Sequence, residues 1–562
     1  SYEAESAPTK DLLGLARPNP SGSKPDIGAY ENSLSITPYP AQIKNLTAKG
    51  GSGAVTLSWD TAADVDSVYK VYKHTSAFSP ASTYLLGTTT TTSYTISGLD
   101  NTTRYYFRVS GINKQGFEGT SAAIDMTPKF SGPVWWVATG GDDTSGEGSV
   151  SNPFKTIMHA MHEANEGDTI TIKPGTYTGT DNRDFDLDGK NLVVMSQYPT
   201  TWDSVIIDAE KQKPHFKVGY SSNSSSTITA SKTKVVGITL TNGEDGSLRD
   251  NGQPGGGSVS LYNGSSITFE KVFFTNNNII NNSSTSSAGA VYMSHPGSQF
   301  LNCRFQNNKS NLDQNGNANA TGALVVDGMA LNDNAYSSKY TLIDGCEFVN
   351  NHGRREGGAI NARHSTVIQN SYFYQNRSDR DDNSGDGGAI AAMPVNSGDG
   401  GASYTTYLHV INSVFVDNYA ERYGGAILNY GSNHPKIFNS IFMNNRRGSQ
   451  SGQDGELNDF HSHNQAKIRV DFSRVDQAGT DEASFGEKMY YGDPAFVDMA
   501  KENFNLSAAS SLIGAGTEKF SIDGLEIDAP SKDKNGSVRP SPSGSSPDIG
   551  AYENSLATSP YP

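Results

Sequence analysis

The sequence predicts an all-β protein: a β-sandwich, then a stack of coils of the parallel β-helix kind with one short helix ahead of it. Three observations carry this. Gly is abundant (59 of 562 residues) and charged residues make up only 18%, with Ser, Thr and Asn frequent, a turn-rich composition that favours strands. Short alternating segments recur at about ten-residue spacing through 41–128. From residue 240 to 445, Phe-x-(Asn/Asp/Gln)-Asn segments alternate with Gly-Gly-Ala-Ile segments.

A duplication frames these parts. APTKDLLGLARPNPSGSKPDIGAYENSLSITPYP (7–40) aligns without a gap to APSKDKNGSVRPSPSGSSPDIGAYENSLATSPYP (529–562), at a constant offset of 522 residues. That period is far too long for a solenoid repeat and reads as duplication of a multi-domain module. The expected organisation is the tail of a preceding module (1–40), a spacer (41–128), a β-helix (134–518) and the module's own tail (519–562). The first residue is Ser1, with no signal peptide, which reads as a processed or excised chain.

In 41–128, AVTLSWD (54–60), VYKVYK (68–73) and SYTISGLDNTTRYYFRVSGIN (93–113) supply the short strands. The segment resembles a fibronectin type III domain. Trp59 is similar to its core tryptophan, and Leu99, Thr103, Tyr105 and Val109 follow its tyrosine-corner strand. The resemblance implies a spacer.

Apolar residues at Phe154, Ile157, Ala160, Met161 and Ala164 have helical spacing, predicting a helix over 154–166 with Asn152 as cap, Pro153 in the first turn and Gly167 as stop. TITIKPGTY then reads as strand and turn. One short helix before many strands suits a lid over the open end of a coil stack, where bare strand edges invite aggregation. The Gly-rich loop GGDDTSGEG (140–148) places Asp142, Asp143 and Glu147 together as a candidate calcium site; the plainer reading is a loop that caps the following helix.

The coil signal is FTNN, FQNN, FVNN, FYQN, FVDN and FMNN, beginning at Phe274, Phe305, Phe348, Phe373, Phe415 and Phe442, with LTNG (240–243) as a degenerate earlier member. Each Phe is expected to stack on the next inside the coil. The residues Asn277, Asn308, Asn351, Asn376, Asn418 and Asn445 are expected to turn inward at a bend, bond to their copies and tolerate a left-handed backbone. Two positions before Phe the residue is small (Cys303, Cys346, Ser371, Ser413, Ser440), and the residue between is variable, as an outward position should be. Cys303 and Cys346 fall at equivalent places on adjacent coils, about 4.8 Å apart and near the short end of disulfide geometry, so the alternatives are two buried thiols in this interior row, the plainer reading, or a disulfide; two cysteines are too few for a disulfide scaffold or a zinc site. The glycines of Gly-Gly-Ala-Ile let the chain bend into the next strand.

Residues 134–562 resemble the right-handed parallel β-helix superfamily of the pectate-lyase-like fold. The closing DPAFVDMAKENFNLSAASSLIGAGT and PDIGAYE resemble the C-terminal end of bacterial surface proteins of the choice-of-anchor type. The repeats are also similar to those of polymorphic outer-membrane adhesins. The resemblance implies a fold that hosts polysaccharide lyases and hydrolases as well as structural rods. A lyase needs cations against a uronate carboxylate and a base for the adjacent proton. None of the sequence signatures of the lyases is found.

One constellation bears on chemistry. Arg354, Arg355, Arg377, Arg380, Arg422, Arg446 and Arg447 fall between Phe strands and the following Gly-Gly-Ala-Ile, beside Glu356, Asp379, Asp381, Asp382, Asp386 and Glu421. Stacking should align them on one flank. The alternatives are a row of solvated ion pairs, each contributing little, a strip that binds acidic glycan, or a lyase cleft with Asp381 and Asp386 on a metal.

A net charge of −16 argues against nucleic acid as a partner, and no run approaches the 18 apolar residues of a membrane span. Low cysteine fits a secreted bacterial surface protein. The expected function is a structural and adhesive module of a long extracellular protein or filament. About a dozen coils would span roughly 60 Å at about 4.8 Å each. Its expected partners are neighbouring copies of the module, joined covalently or head to tail, and polysaccharide. The alternative is a polysaccharide lyase or other carbohydrate-active enzyme acting on an acidic glycan.

Overall fold

The computed structural model describes the chain except residues 1–7, 19–20, 22–27, 31–38, 52, 67, 102, 129, 131, 188, 220–231, 246–254, 281–286, 311–319, 329–338, 380–383, 394–406, 432–434, 450–451, 464–466, 477–482, 523 and 558–562. It divides into two compact units, Ser1–Ser131 and Gly132–Pro562.

In the first unit, strands Thr47–Gly51, Ala54–Ser58 and Ser93–Ser97 form one antiparallel sheet. Leu85–Thr89, Val68–His74, Tyr105–Ile112 and Ala122–Met126 form a second. Alternation places Val55, Leu57, Val71, Phe107 and Val109 in a shared core, all fully buried. Trp59 meets Tyr69 edge-on at 5.4 Å within this core. The Tyr105 hydroxyl accepts the Asp100 N–H at 3.1 Å, closing the tyrosine corner.

The second unit is a parallel β-helix with three walls. The first wall runs from Val134–Val137 through Thr341–Asp344 to Ala483–Phe485. The second runs from Gly175–Tyr177 through Glu347–Val349 to Ile441–Met443, and the third from Phe216–Val218 through Ile360–Ala362 to Phe460–Ser462. A ribbon of two-residue strands, such as His352–Gly353 and Arg377–Ser378, lies between the second and third walls. Pairing between coils is parallel in all three walls, as at Phe305↔Phe348 and Ile360↔Ile390.

The repeats in the sequence become ladders. Leu240 pairs in register with Phe274, so LTNG is indeed the earlier member. From Phe274 to Phe442 the rings stack at 4.6, 4.7, 4.7, 4.5 and 4.6 Å between centroids, tilted by 9° or less. The corner after each Phe divides its work between two residues. Asn276, Asn307, Asn350, Gln375, Asp417 and Asn444 take the left-handed backbone, with φ between 51° and 57°. The next residue, always Asn, turns inward. Each ladder Nδ2 donates both to the next ladder Oδ1 and to a carbonyl of the coil before, as Asn351 does to Asn376 and to Phe305 O, both at 2.9 Å. From Asn277 to Asn418 each ladder backbone N–H also finds the next Oδ1. Asp459 terminates the series by accepting from Asn445 at 3.0 Å.

The small interior positions form a second row. The N–H groups of Cys346, Ser371, Ser413 and Ser440 donate to the hydroxyl one coil on. Cys303 and Cys346 sit at the head of this row as buried free thiols. In the third wall the paired glycines also differ in role. Gly387 has φ +66°, a left-handed bend. Gly388 has no room: a Cβ there would lie 2.0 Å from the Gly425 carbonyl oxygen.

The one α-helix among the described residues, α1, is Ile157–Glu163, shorter than the 154–166 expected. Its cap is Thr156, whose hydroxyl accepts the His159 N–H at 3.3 Å, not Asn152 with Pro153 in the first turn. Phe154 is taken by the wall, bridging Val137 and stacking on Trp135 at 5.8 Å, so the helix cannot begin before it. At the other end Ala164 is already extended, so the helix stops before Gly167. The helix buries Ile157, Ala160 and Met161 against the terminal strands Val134–Val137 and Thr169–Ile172, covering the end of the stack.

After Ala483–Phe485 the chain folds back along the outside. Phe504, Leu506, Leu512, Ile513, Ile549 and Ala551 pack on Val349, Tyr372, Val414 and Ile441 of the second wall. The second copy of the repeated segment is therefore built into the flank of the β-helix. Arg539, fully buried, pairs with Glu553 at 3.1 Å and donates to the Asp548 carbonyl at 3.0 Å.

Candidate functional site

The residue just before each glycine pair occupies equivalent places on successive coils. Glu356, Asp386 and Tyr423 are thereby joined side by side by parallel bridges. Glu356 and Asp386 are each only 4% exposed. Asn361 sits mid-strand in the third wall, facing away from Ile360 and Ala362, and its Nδ2 donates to Glu356 Oε2 at 2.8 Å. Glu356 therefore lies over the outer face of that wall. Burial pushes its carboxyl above the usual carboxylate range; Asp386 adds to the shift, while Arg363, Arg355 and the Asn361 bond oppose it.

Asp386 has a different environment. Arg422 grips it in a fork, Nε on Oδ1 at 2.9 Å and Nη2 on Oδ2, and lies over the Tyr423 ring at 5.0 Å. On the earlier coils, Tyr292 donates to Asp327 Oδ2 at 2.9 Å, and Arg363 Nε lies 3.5 Å from Asp327 Oδ1. On the later side, Tyr423 stacks on His461 at 4.1 Å, and His463 meets Tyr430 at 4.6 Å. A polar strip thus crosses several coils of the third wall. Two neighbouring carboxyl groups thus stand in unlike surroundings, one pushed up by burial and one held in an arginine fork.

The predicted arginines divide between places. Arg377 and Arg446 stand in one outward row of the ribbon, in register with Lys309, His352 and Tyr419. Arg377 pairs with Asp379, which also binds His352, and stacks on Tyr419 at 4.5 Å. Arg446 donates to the Gly455 carbonyl at 2.8 Å, and Arg447 pairs with Glu456. Arg422 is apart from this row, on Asp386. Arg354 and Arg355 are anchored through their N–H groups on the Ala320 carbonyl, next to Glu356. Arg380, Asp381 and Asp382 lie outside the described residues.

At the proposed calcium loop, Asp142 Oδ1 accepts the N–H groups of Thr144 and Ser145, and Asp143 accepts those of Lys155 and Thr156 and the Thr156 hydroxyl. This is the geometry of a loop that caps α1. Among the described residues no group of three His, Cys, Asp or Glu side chains is placed to hold a metal.

Sequence reasoning named Glu356 only as a neighbour of arginines, and Asp386 also as a metal ligand with Asp381; Asp386 is instead held by Arg422, and Asp381 lies outside the described residues. Sequence reasoning missed Asn361, Asp327, Arg363, Tyr423 and the His461–His463 pair. The available signal was position, since each member of the bridged row immediately precedes a glycine pair. It also missed an open groove of about 800 Å³ between the corner of the first two walls and the folded-back tail, with Trp202, Lys271, Asp344 and Lys532 on its sides.

Residues 40–127 match the fibronectin type III domain family. A Fn3-like protein from Clostridium thermocellum is 28% identical, covering 16% of this chain and 88% of its own, with a TM-score of 0.14. A pectate lyase is 18% identical over 75% of this chain and 96% of its own, TM-score 0.36. A rhamnogalacturonan lyase is 14% identical over 67% and 95%, TM-score 0.40. No curated protein matches the chain. Among the described residues no helix is long and apolar enough to cross a membrane.

Proposed function

We propose that the chain is a structural and adhesive module of an extracellular surface protein, one of a series, and that the outward arginines of its ribbon contact acidic glycan. The observation that carries this reading is the duplicated segment. One copy is part of the β-helix flank, and its twin precedes the fibronectin type III domain, as expected if rods and spacers alternate. Continuous Phe and Asn ladders make the rod stiff along its axis. The native polypeptide, run under denaturing and reducing conditions, should exceed the 562 residues in steps near 522; a mass of one such unit would end the series reading. Glycan contact is tested by binding to immobilised polygalacturonate across salt. Affinity that falls with salt and is lost on Arg377→Ala supports it, and salt-independent or absent binding removes it.

The Glu356–Asp386 pair favours a second reading, a lyase or other carbohydrate-active enzyme on an acidic glycan. Sustained formation of unsaturated uronate product, abolished by Glu356→Gln with the fold intact, would establish it. No turnover on a panel of acidic polysaccharides would leave the strip a structural network.

A further inference from the structure

Where both are described, the two copies of the repeated segment adopt the same local turn, yet the Gly-Ala-Tyr stretch is covered in only one. Asp11 Oδ1 accepts the N–H groups of Leu13 and Leu15 at 2.9 and 2.8 Å; Asp533 Oδ1 accepts those of Asn535 and Ser537 at 2.9 and 2.7 Å. Arg17 Nη2 donates to Gly28 O at 2.8 Å as Arg539 Nη2 does to Gly550 O at 3.3 Å. Leu12 N–H reaches Ala29 O as Lys534 N–H reaches Ala551 O, both at 2.9 Å. The turn is therefore specified by the segment itself.

What differs is the company. In the C-terminal copy, Gly550 N–H donates to Asn439 O at 2.8 Å, and Asn412 Nδ2 donates to Asp548 O and Gly550 O at 3.0 and 3.2 Å. Ala551 and Tyr552 sink into the second wall, Tyr552 to 7% exposure. In the N-terminal copy Gly28 and Ala29 are exposed, and Tyr30, the twin of Tyr552, is 56% exposed. Among the described residues, Gly28, Ala29 and Tyr30 thus present to solvent what Gly550, Ala551 and Tyr552 bury.

One substitution between the copies tells what would fit. Lys534 Nζ meets Glu347 at 2.9 Å and the Gly345 carbonyl at 2.7 Å, and Glu347 is itself mostly buried. The twin of Lys534 is Leu12, 71% exposed. Leucine there would strip Glu347 of a cation and offer an apolar side chain to a carboxylate. We infer that the described turn of the N-terminal copy, residues 11–17 with 28–30, is a docking element for the outer second wall of a parallel β-helix other than this chain's own, one with an apolar residue where Glu347 stands here. This rests on the reading of the chain as one of a series and names the chemistry of the neighbour it joins.

The test mixes two full-length chains. The acceptor carries Ile549→Asp and Tyr552→Ala to release its own tail, Glu347→Leu to match Leu12, and Tyr30→Asp to silence its own element. The donor is the unaltered chain. Sedimentation should show a one-to-one complex, weakened at least tenfold by Tyr30→Asp in the donor or by restoring Glu347 in the acceptor. An acceptor with a protease-open tail and intact circular dichroism that binds no donor would overturn the inference, as would equal binding of the Tyr30→Asp donor. If the acceptor does not fold, a chain with 529–562 replaced by the sequence of 7–40 gives the answer in cis. Its tail should resist protease only with Glu347→Leu; equal digestion with and without that change would refute the idea. Glycan binding has no part in these readouts, so the adhesive reading fails or stands separately.

Discussion

Replacing Asn351 by Ala should be among the most damaging single changes in the β-helix. Asn351 Oδ1 accepts the backbone N–H of Asn308 at 3.1 Å and its Nδ2 at 3.0 Å, while its own Nδ2 donates to Phe305 O and Asn376 Oδ1. Asn308 and Asn351 are fully buried, so water cannot replace what is lost. The change strands the Asn308 N–H and one amide hydrogen and withdraws a donor from a buried carbonyl. At about 1–3 kcal/mol for each stranded group, eased by relaxation, the loss is about 4 kcal/mol. Asn351→Asp should be at least as harmful, because it points a carboxylate oxygen at two acceptors. Urea unfolding followed by circular dichroism gives the size, and hydrogen exchange gives the place: protection should fall first in the coils of Phe305, Phe348 and Phe373. A loss under about 1 kcal/mol would mean that the ladder decorates a corner already held by the walls, and would refute the reasoning.

Three further outcomes are expected. Gly388→Ala should cost at least about 2 kcal/mol, since its Cβ would lie 2.0 Å from a backbone oxygen that only a coil shift can move; an unchanged melting temperature would contradict the packing. Phe348→Ala, with rings stacked at 4.7 Å on both sides, should cost about 3–5 kcal/mol in urea unfolding, against well under 1 for the outward Gln306→Ala. Burial, with Asp476 beside it, lifts Asp459 to about 7, above the ~3.9 of an unfolded chain. The folded chain then keeps a proton that the unfolded chain releases, so this contribution is full below about pH 4 and is lost as pH rises to about 7, at most about 4 kcal/mol. Asp459→Asn should flatten that part of a stability–pH curve, leaving the share of Asp548, which burial also lifts to about 7; an unchanged slope would count against the shift.

The interior was legible because a ladder demands the same residue at the same place in every coil, so Phe348 and Asn351 announce themselves by recurrence. The split between Asn350 and Asn351 was not legible, since both are asparagine and only the backbone separates the left-handed residue from the inward one. The start of α1 was misplaced because helical spacing cannot reveal that Phe154 is claimed by the wall. Glu356 and Asp386 stand 30 residues apart and become neighbours only once the register of the coils is known. The covering of the second wall by Ile549 and Tyr552 leaves no periodic trace, because an irregular strap buries single residues rather than a face.

The spacing of ladder asparagines has a consequence for how such a chain changes over generations. Successive members are 31, 43, 25, 42 and 27 residues apart, yet their contacts are nearly identical. All the difference is carried by the residues between the wall strands. A coil is therefore a unit that recombination can add or excise whole, because each joint it leaves behind is the same joint. The segments between wall strands can drift in length and chemistry under selection while the interior stays nearly invariant, so two descendants of one ancestor could share every ladder and no connecting segment.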